Sequence, residues 1–447
     1  MGKKGTIYVC QECGYKSVKW LGRCPSCGGW NTLVEELDVD YKRGFSLVRK
    51  ASKVLPISAW ESEETERVST GYKTLDAALG GGLVKGQVIL IAGEPGIGKS
   101  TLLLQVSDKF AQNYGKVLYV SGEESGTQIA LRGKRLGINN SNLLVYPEVN
   151  LENILETLDR ELPSLLVLDS VQTIFSEKLE SSAGSVSQVR EVAYRITEWC
   201  KEKEVPAFIV GQITKEGSIA GPKVLEHIVD TILQFEGERF NFYRIVKVVK
   251  NRFGSTGEIA VFKMGDRGLE EVPEPSAFFI SEKTESPGSV VFPHTEGSKP
   301  VLLEIQSLVI PALYTTPQRK TQGFDPNRLA LILAVLEKEA KIFTRDADVF
   351  VNVAGGMSVR EPAVDLAVAL AIVSSKKEKP IPSDTVIFGE LGLSGEVRAV
   401  HFGDLRIKEA KRFGFKRAVV PKSLEVEEEG IEVIPVSHIS EAIDLFF

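Results

Sequence analysis

The chain has 447 residues, of which 43% are hydrophobic, and its 54 basic and 60 acidic residues give a net charge of −6. This length and composition predict two or three globular domains and exclude a uniformly basic surface, so any nucleic-acid binding must come from a local patch or a channel shared by several subunits. No run of 18 apolar residues is present, which excludes a membrane-spanning helix, and the basic start Met1–Lys4 lacks the apolar stretch of a signal peptide. We therefore expect a cytoplasmic protein.

Four cysteines near the N-terminus form two knuckles, Cys10-x-x-Cys13 and Cys24-x-x-Cys27, and each knuckle is followed directly by glycine. Four thiolates at this spacing suit tetrahedral Zn²⁺. Two disulfides are an alternative that a cytoplasmic compartment disfavours, and an iron site is another, because four cysteines alone do not select the metal. So short a segment buries too little surface to fold unaided. We predict a zinc finger over residues 1–35 that folds around its metal.

A charged, weakly periodic stretch over residues 36–66 is predicted to be a linker. Beyond it, a G-x-x-x-x-G-K-S string lies between an apolar strand pattern at 87–92 and the start of a helix. The glycines let the loop fold back so that backbone N–H groups point at phosphate oxygens, while Lys99 reaches the β- and γ-phosphates and the Ser100 hydroxyl binds Mg²⁺. A glycine-rich turn is the alternative, but the strand and helix flank the string as a nucleotide site requires. We predict that ATP binds to Gly93, Glu94, Pro95, Gly96, Ile97, Gly98, Lys99, Ser100 and Thr101.

Three later strand patterns end in polar side chains. Leu165–Asp169 consists of four apolar residues and a carboxylate, the form of a strand whose aspartate holds Mg²⁺, although any buried strand can end in this way. The strand Lys116–Ser121 leads into Glu123 and Glu124, where one carboxylate can orient the attacking water; the alternative is a solvated acidic turn. A third strand ends at Gln212, whose amide can sense the γ-phosphate.

In this order, these elements resemble the RecA-type ATPase core over residues 67–273. The string Lys250–Gly254 (K-N-R-F-G), the four-cysteine N-terminus and the segment Val120–Ser125 also resemble the RadA (Sms) family of bacterial DNA-repair proteins, and the resemblance spans nearly the whole chain. It implies an α/β protein with a RecA-type P-loop core, an N-terminal four-cysteine zinc finger and, after a second linker at 274–297, a domain at 298–447 like that of Lon protease.

The family resemblance also implies a function. It points to an ATP-driven, helicase-like motor that forms a hexameric ring, binds single-stranded and branched DNA, and processes recombination intermediates in DNA repair alongside the RecA recombinase. Its cofactors would be ATP, Mg²⁺ and Zn²⁺, with the magnesium held by Ser100 and Asp169. Counting from the strand places Glu123 at the position of the catalytic carboxylate, with Glu124 in reserve.

In this family the basic residues of the K-N-R-F-G string resemble cationic fingers. Lys250 and Arg252 would then stabilise transition-state charge at the ATP of a neighbouring subunit; the alternative is a solvated basic loop. The segments Phe175–Val189 and Thr214–Val224 occupy the places of the two DNA-binding loops of RecA. Neither contains an aromatic cluster, so we expect sequence-independent phosphate contacts from Lys178, Lys215 and Lys223.

The C-terminal region resembles the proteolytic domain of Lon in the strings Val349–Ala354, Gly389–Leu391 and Gly395–Val397. A Lon-type protease needs a serine activated by a lysine, but the chain reads Glu361-Pro362-Ala363 at the place of the serine and Gly403-Asp404-Leu405 near that of the lysine. We therefore predict a scaffold for oligomerisation and DNA contact rather than a protease. Its candidate basic patch contains Arg319, Lys320 and Arg328.

The main alternative function is that of a RecA-core signalling ATPase or autokinase that does not act on DNA. Such a protein shares the P-loop but has no reason to carry a zinc module and a Lon-like domain. A zinc-binding adaptor with a vestigial ATPase is disfavoured because Lys99, Glu123 and Asp169 are all present. DNA stimulation of ATP hydrolysis separates these alternatives.

Overall fold

The computed structural model describes residues 6–10, 14–37, 66–212, 224–237, 243–296, 299–312, 316–426 and 428–447. The chain divides into two compact units, Met1–Glu271 and Val272–Phe447. Cys13, Lys215, Lys223 and most of the linker predicted at 36–66 lie outside the described residues. None of the described helices is both long and apolar enough to cross a lipid bilayer.

The N-terminal module is a small antiparallel sheet in the strand order β2-β1-β3. Its strands are β1 (Thr6–Cys10), β2 (Lys16–Ser17) and β3 (Leu33–Leu37). Its only buried cluster joins Cys10, Cys24 and Leu33, as far as the structure describes this module. So small an apolar core cannot hold the module together by itself, as expected for a fold that depends on metal.

The ATPase region is built on a nine-stranded sheet in the order β14-β13-β12-β11-β6-β10-β9-β7-β8. Strands β6 to β11 are parallel, and β12 to β14 are antiparallel additions at one side. A separate two-stranded ribbon pairs β4 with β5. The strands are β4 (Arg67–Val68), β5 (Leu83–Val84), β6 (Val88–Gly93), β7 (Val117–Ser121), β8 (Leu143–Pro147), β9 (Leu165–Asp169), β10 (Ala207–Gln212), β11 (Thr231–Glu236), β12 (Tyr243–Asn251), β13 (Ile259–Gly265) and β14 (Gly268–Glu271).

Helices cover both faces of this sheet, which is why its central strands read as unbroken apolar runs. In β6, Ile89 and Ile91 belong to one apolar core, while Val88, Leu90 and Ala92 belong to the core on the other face. The helices of this unit are α1 (Lys73–Leu79), α2 (Lys99–Tyr114), α3 (Gly126–Leu136), α4 (Leu151–Glu161), α5 (Val186–Lys203) and α6 (Val224–Ile228).

The C-terminal unit has a seven-stranded mixed sheet in the order β17-β18-β16-β15-β19-β22-β23. Its strands are β15 (Ser289–Glu296), β16 (Lys299–Pro311), β17 (Arg319–Gln322), β18 (Ala347–Val353), β19 (Thr385–Ile387), β20 (Glu390–Leu391), β21 (Val397–Arg398), β22 (Arg417–Pro421) and β23 (Glu432–Val436). Its helices are α7 (Pro275–Phe279), α8 (Pro326–Ala340), α9 (Asp365–Lys376), α10 (Gly403–Arg412) and α11 (Ile439–Asp444).

The segment 274–297, which the sequence predicts to be a linker, is structured instead. It contains α7 and β15, and β15 lies inside the sheet between β16 and β19. The prediction rested on the proline-rich string Val272–Pro275 and on the turn string Ser286–Gly288. In the structure, Pro275 begins α7, and Ser286–Gly288 lies directly before β15. The prediction was wrong because these proline and glycine signals mark the starts of a helix and a strand rather than a break between domains.

Candidate functional site

The polar residues predicted to bind nucleotide converge at the carboxyl edge of the core sheet. Strands β6, β10, β9 and β7 are neighbours there, and their ends lead into the P-loop, Gln212, Asp169 and Glu123 respectively. Between them lies a cavity of about 240 Å³. It is lined by Pro95, Gly96, Gly98, Lys99, Ser100, Thr101, Glu123, Arg132, Arg135, Asp169, Val210 and Gln212.

Lys99 is the positive charge at the centre of this cavity. Only 6% of the residue is exposed, and its Nζ atom donates to the backbone oxygens of Gly93 at 2.7 Å and Glu94 at 2.8 Å. Burial lowers the pKa of Lys99, and the charges of Asp169 and Glu123 oppose that shift. The loop reaches this shape because Gly96 and Gly98 adopt positive φ angles of 79° and 120°.

Asp169 and Ser100 form the part of the site that suits Mg²⁺. The Asp169 side chain is hydrogen-bonded to Ser100, and the Tyr119 hydroxyl donates to its Oδ2 atom at 2.6 Å. Burial raises the pKa of Asp169, while these two hydrogen bonds act in the opposite direction. Tyr119 was missed from the sequence because its role depends on the pairing of β7 beside β9, which brings it next to Asp169.

The two candidate catalytic glutamates have different surroundings. Glu123 lines the cavity, and its Oε1 atom accepts hydrogen bonds from Ser170 Oγ at 2.5 Å and Gln212 Nε2 at 3.1 Å. Glu124 instead pairs with Arg132 at 2.5 Å. Of the two, only Glu123 lines the cavity. The arrangement therefore favours Glu123 as the group that orients water, and it keeps Glu124 in a structural ion pair.

A glycine fixes the turn that presents these glutamates. A Cβ atom at Gly122 would lie 2.1 Å from Thr173 Oγ1, so no other residue fits there without movement. The Gly122 N–H also donates to the Asp169 backbone oxygen at 2.8 Å. The turn after β7 is thus held directly against the end of β9.

Arg132 and Arg135 are cavity residues that the sequence reasoning missed. They lie three positions apart on α3, so they share one face of that helix, and both line the cavity. The sequence signal that could have predicted them is this basic pair on the helix that directly follows Glu123 and Glu124. Arg132 is paired with Glu124, so Arg135 is the guanidinium group of this face that suits an anionic ligand.

Lys250 and Arg252 lie away from this cavity, near the amino end of β6. Asn251 pairs with Thr231, and Thr231 pairs with Ile89, whereas the P-loop follows Gly93 at the other end of the same strand. At about 3.3 Å per residue, the two places are separated by roughly 15 Å along β6.

Both basic side chains have partners at this amino edge. Arg252 Nη1 lies 3.2 Å from Asp230 Oδ1. The Lys250 ammonium donates to the backbone oxygens of Glu226 and Val229. Neither side chain contributes to the ATP cavity of its own subunit.

The candidate DNA contacts that the structure describes belong to both units and are described unit by unit. Lys178 is exposed in the loop that follows β9. In the C-terminal unit, Lys320 is exposed on β17, and Arg319 donates to the Thr344 backbone oxygen at 2.9 Å. Arg328 forms a two-point ion pair with Asp365, with both N···O distances at 2.5 Å, so its charge is neutralised within the unit.

The described cysteines of the N-terminal module fit a tetrahedral zinc site. The sulfur atoms of Cys10, Cys24 and Cys27 all lie within 4.8 Å of one another. The Gly14 N–H donates to the Cys10 oxygen at 2.9 Å and the Gly28 N–H to the Cys24 oxygen at 2.9 Å, which are the turns of two knuckles. This donor set selects a thiophilic ion and suits Zn²⁺.

The place of the Lon dyad is occupied by an ion pair between a buried arginine and a partly buried glutamate. Glu361 accepts hydrogen bonds from Arg406 and lies 2.6 Å from His294 Nδ1. Arg406 is 1% exposed and packs between the rings of Phe292 and Phe388, each 5.7 Å from its guanidinium carbon. Burial raises the pKa of Glu361, but its bonds to His294 and Arg406 outweigh burial and lower it to about 2. The pair has no free nucleophile to offer.

The sheet order, the P-loop and the converging carboxylates define a RecA-type P-loop ATPase. Family models match three segments: the AAA domain at residues 58–218, the rubredoxin metal binding domain at 8–35, and subunit ChlI of Mg-chelatase at 331–423. A KaiC-like protein from Pyrococcus horikoshii OT3 aligns with 47% of this chain and 100% of its own, at 21% identity and a TM-score of 0.40.

Full-length relatives define the family. DNA repair protein RadA of Aquifex aeolicus is 82% identical, covering 100% of both chains, and that of Bacillus subtilis is 46% identical, covering 99% of each. The chain belongs to the RadA family of DNA repair proteins. Its cofactors are ATP with Mg²⁺ at the P-loop and zinc at the cysteine module.

Proposed function

We propose that this protein is a DNA-stimulated ATPase that moves along single-stranded DNA and drives branch migration of recombination intermediates together with RecA. The observation that carries the proposal is the complete nucleotide site: Lys99, Asp169 and Glu123 face one cavity at the carboxyl edge of the core sheet. Membership of a family of DNA repair proteins supports DNA as the partner. The unit with Glu361 and Arg406 serves as a scaffold for assembly and DNA contact.

Each residue at the cavity has a distinct role in this proposal. Lys99 neutralises charge on the β- and γ-phosphates, and Ser100 with Asp169 holds Mg²⁺, which supplies Lewis-acid stabilisation of the transferred phosphoryl group. Glu123 orients the attacking water. Gln212, bonded to Glu123 at 3.1 Å, couples the γ-phosphate position to β10.

The remaining catalytic charge comes from a neighbouring subunit. Lys250 and Arg252 are too far from the P-loop of their own chain to act on its phosphates, and they lie at the opposite edge of the same sheet. A head-to-tail ring, hexameric in this proposal, brings one subunit's amino edge to the next subunit's carboxyl edge. Arg252 then acts as an arginine finger in trans.

DNA binding in this proposal depends on phosphate contacts from lysines near the nucleotide. Lys178 is exposed in the loop directly after the strand that carries Asp169. Lys215 and Lys223 are the sequence candidates for the second loop, and Arg319 and Lys320 are those of the C-terminal unit. Repetition around a ring multiplies a few contacts, so a protein with a net charge of −6 can still bind a polyanion.

The decisive experiment measures ATP turnover with and without single-stranded DNA, followed by branch migration of a three-strand intermediate with and without RecA. The proposal predicts DNA-stimulated turnover, and unchanged turnover on DNA would instead indicate a signalling ATPase. Arg252→Ala and Lys99→Ala are each expected to be inactive, whereas mixing them restores interfaces with an intact P-loop and an intact finger. Failure of every mixing ratio to restore turnover contradicts the trans role.

A further inference from the structure

The zinc module carries an exposed aromatic surface that the ATPase mechanism does not use. Trp20 is 54% exposed and Trp30 is 70% exposed, while the third described tryptophan, Trp199, is buried. Val18, at 79% exposure, lies at the tip of a turn in which Ser17 Oγ bonds to the backbone of Lys19. Exposing two indoles is costly in water, so this surface suits a planar or apolar ligand.

Local contacts place both rings beside the second cysteine knuckle. A Cβ atom at Gly22 would lie 3.6 Å from the Trp20 ring, and Gly22 accepts a hydrogen bond from Asn31, the neighbour of Trp30. Arg23 pairs in a β-bridge with Trp30, and its guanidinium carbon lies 5.8 Å from the centre of that ring. The two indoles and one guanidinium therefore share one small, metal-braced surface.

The charge of this surface opposes that of the whole protein. Residues 14–32 contain Lys16, Lys19 and Arg23 but no aspartate or glutamate, although the chain has a net charge of −6. The three cationic side chains are exposed, whereas the thiolate charge is centred on the metal site with Cys10 and Cys24 buried. Aromatic faces interleaved with cations match the bases and phosphates of a single-stranded nucleic acid.

We propose that Trp20 and Trp30 form a base-stacking platform for single-stranded DNA, with Lys19 and Arg23 on the adjacent phosphates. This inference rests on the proposed DNA-dependent function and adds a second kind of contact to it. The predicted DNA loops of the core offer lysines without an aromatic cluster, so they hold the backbone only. The zinc module holds bases.

The first test compares full-length, zinc-loaded variants binding to oligothymidylate and to an abasic oligonucleotide of equal length. Trp20→Ala/Trp30→Ala should weaken oligothymidylate binding by at least about fivefold for each ring, with little change for the abasic strand and an unchanged salt slope. Trp20→Phe/Trp30→Phe should retain most of the affinity, while Lys19→Ala/Arg23→Ala should lower both affinities and the salt slope. Each variant must retain its zinc by metal analysis.

A second measurement does not depend on how well the alanine variant folds. The chain has four tryptophans, so Trp60→Phe/Trp199→Phe leaves Trp20 and Trp30 as the only indole reporters. Their fluorescence should be quenched saturably by oligothymidylate and hardly by the abasic strand. If the wild type binds DNA but neither quenching nor an alanine effect is seen, the platform is refuted. If the wild type binds no DNA, the proposed function fails as well.

Discussion

At the carboxyl edge of the core sheet, Lys99 and Asp169 are buried beside an open cavity, whereas in the C-terminal unit the buried Arg406 is paired with the partly buried Glu361. Both regions take ionic groups out of water, which is costly unless the groups have partners. In the core, the partners leave room for a ligand. In the C-terminal unit, His294, Arg406 and the Thr295 N–H saturate the carboxylate. The nucleotide cavity therefore has charged groups available to a ligand, whereas the Glu361–Arg406 pair stabilises the fold.

Removing the core charge is expected to have the largest effect. Lys99→Ala should lower ATP turnover by at least about 100-fold, because the ammonium stabilises charge that develops on the phosphates. Circular dichroism should show an unchanged fold. Lys134→Ala, an exposed lysine on α3, is the matched control and should hydrolyse ATP normally. Turnover near the wild-type level in Lys99→Ala would contradict the assignment of residues 93–100 as the ATP-binding P-loop.

The two glutamates after β7 offer an internal comparison. Glu123→Gln should reduce turnover by about 100-fold or more while ATP binding persists, because an amide cannot orient water as a base. Glu124→Gln should have a much smaller effect, since Glu124 pairs with Arg132 and does not line the cavity. Turnover and nucleotide affinity measured on both variants decide the question. The reverse order of effects would transfer the catalytic role to Glu124.

Breaking the C-terminal ion pair should change stability and leave the nucleotide site unaffected. Glu361→Gln leaves the buried Arg406 charge without its counter-ion, which should destabilise this unit by about 3 kcal/mol. Hydrogen exchange of peptides that contain these two residues measures the change. Glu337→Gln is the control, because its partner Arg345 is exposed and can be solvated when the pair is broken, and no measurable change is expected there. An unaltered exchange rate in Glu361→Gln would mean that the pair is not stabilising.

The same carboxylate predicts a pH dependence with a definite sign. The folded-state pKa of Glu361, about 2, is below its ordinary value of 4.5. Its contribution to the free energy of unfolding is therefore complete above about pH 5 and is lost as the pH falls toward 2. The shift corresponds to about 3 kcal/mol. Exchange measured between pH 6 and pH 3 should show this acid loss in the wild type. The acid-dependent component should be absent in Glu361→Gln, and its persistence there would point to another group.

The smallest predicted effect concerns the support of Asp169. Tyr119→Phe removes one hydrogen bond to a buried carboxylate and should weaken Mg²⁺-dependent activity by about fivefold, the size of one lost hydrogen bond. A titration of turnover against Mg²⁺ concentration measures it. Tyr114→Phe, with an exposed ring at the end of α2, is the control. A loss as large as that expected for Lys99→Ala would make Tyr119 part of the catalytic machinery.

Sequence predicted those features that depend on position along a strand or loop. Asp169 and Gln212 were found because parallel strands bring their carboxyl ends to one edge of the sheet. The P-loop was found because the spacing of its glycines predicts the conformation of the loop. Tyr119, Arg132 and Arg135 were missed because their roles depend on the strand and helix that happen to lie beside them.

Strand β15 was missed for a related reason. The turn string Ser286–Gly288 indicated a break in structure, and only the pairing of β15 with β16 and β19 shows that a strand begins directly after it. The Arg406–Glu361 pair was also invisible, since the two residues are brought together from distant parts of the chain. Contacts between elements, rather than patterns within them, set the limit of the sequence-based predictions.

The distance between Lys250, Arg252 and the P-loop of the same chain has a consequence for how activity depends on protein amount. In the proposed head-to-tail ring, Lys250 and Arg252 act on the ATP of a neighbouring subunit, so a lone subunit lacks both cations, and dilution below the dissociation constant of assembly should abolish turnover even at saturating ATP. Specific activity should rise with enzyme concentration and then level off. ATP hydrolysis would thereby be confined to places where the local protein concentration is high enough for assembly, without a separate inhibitor.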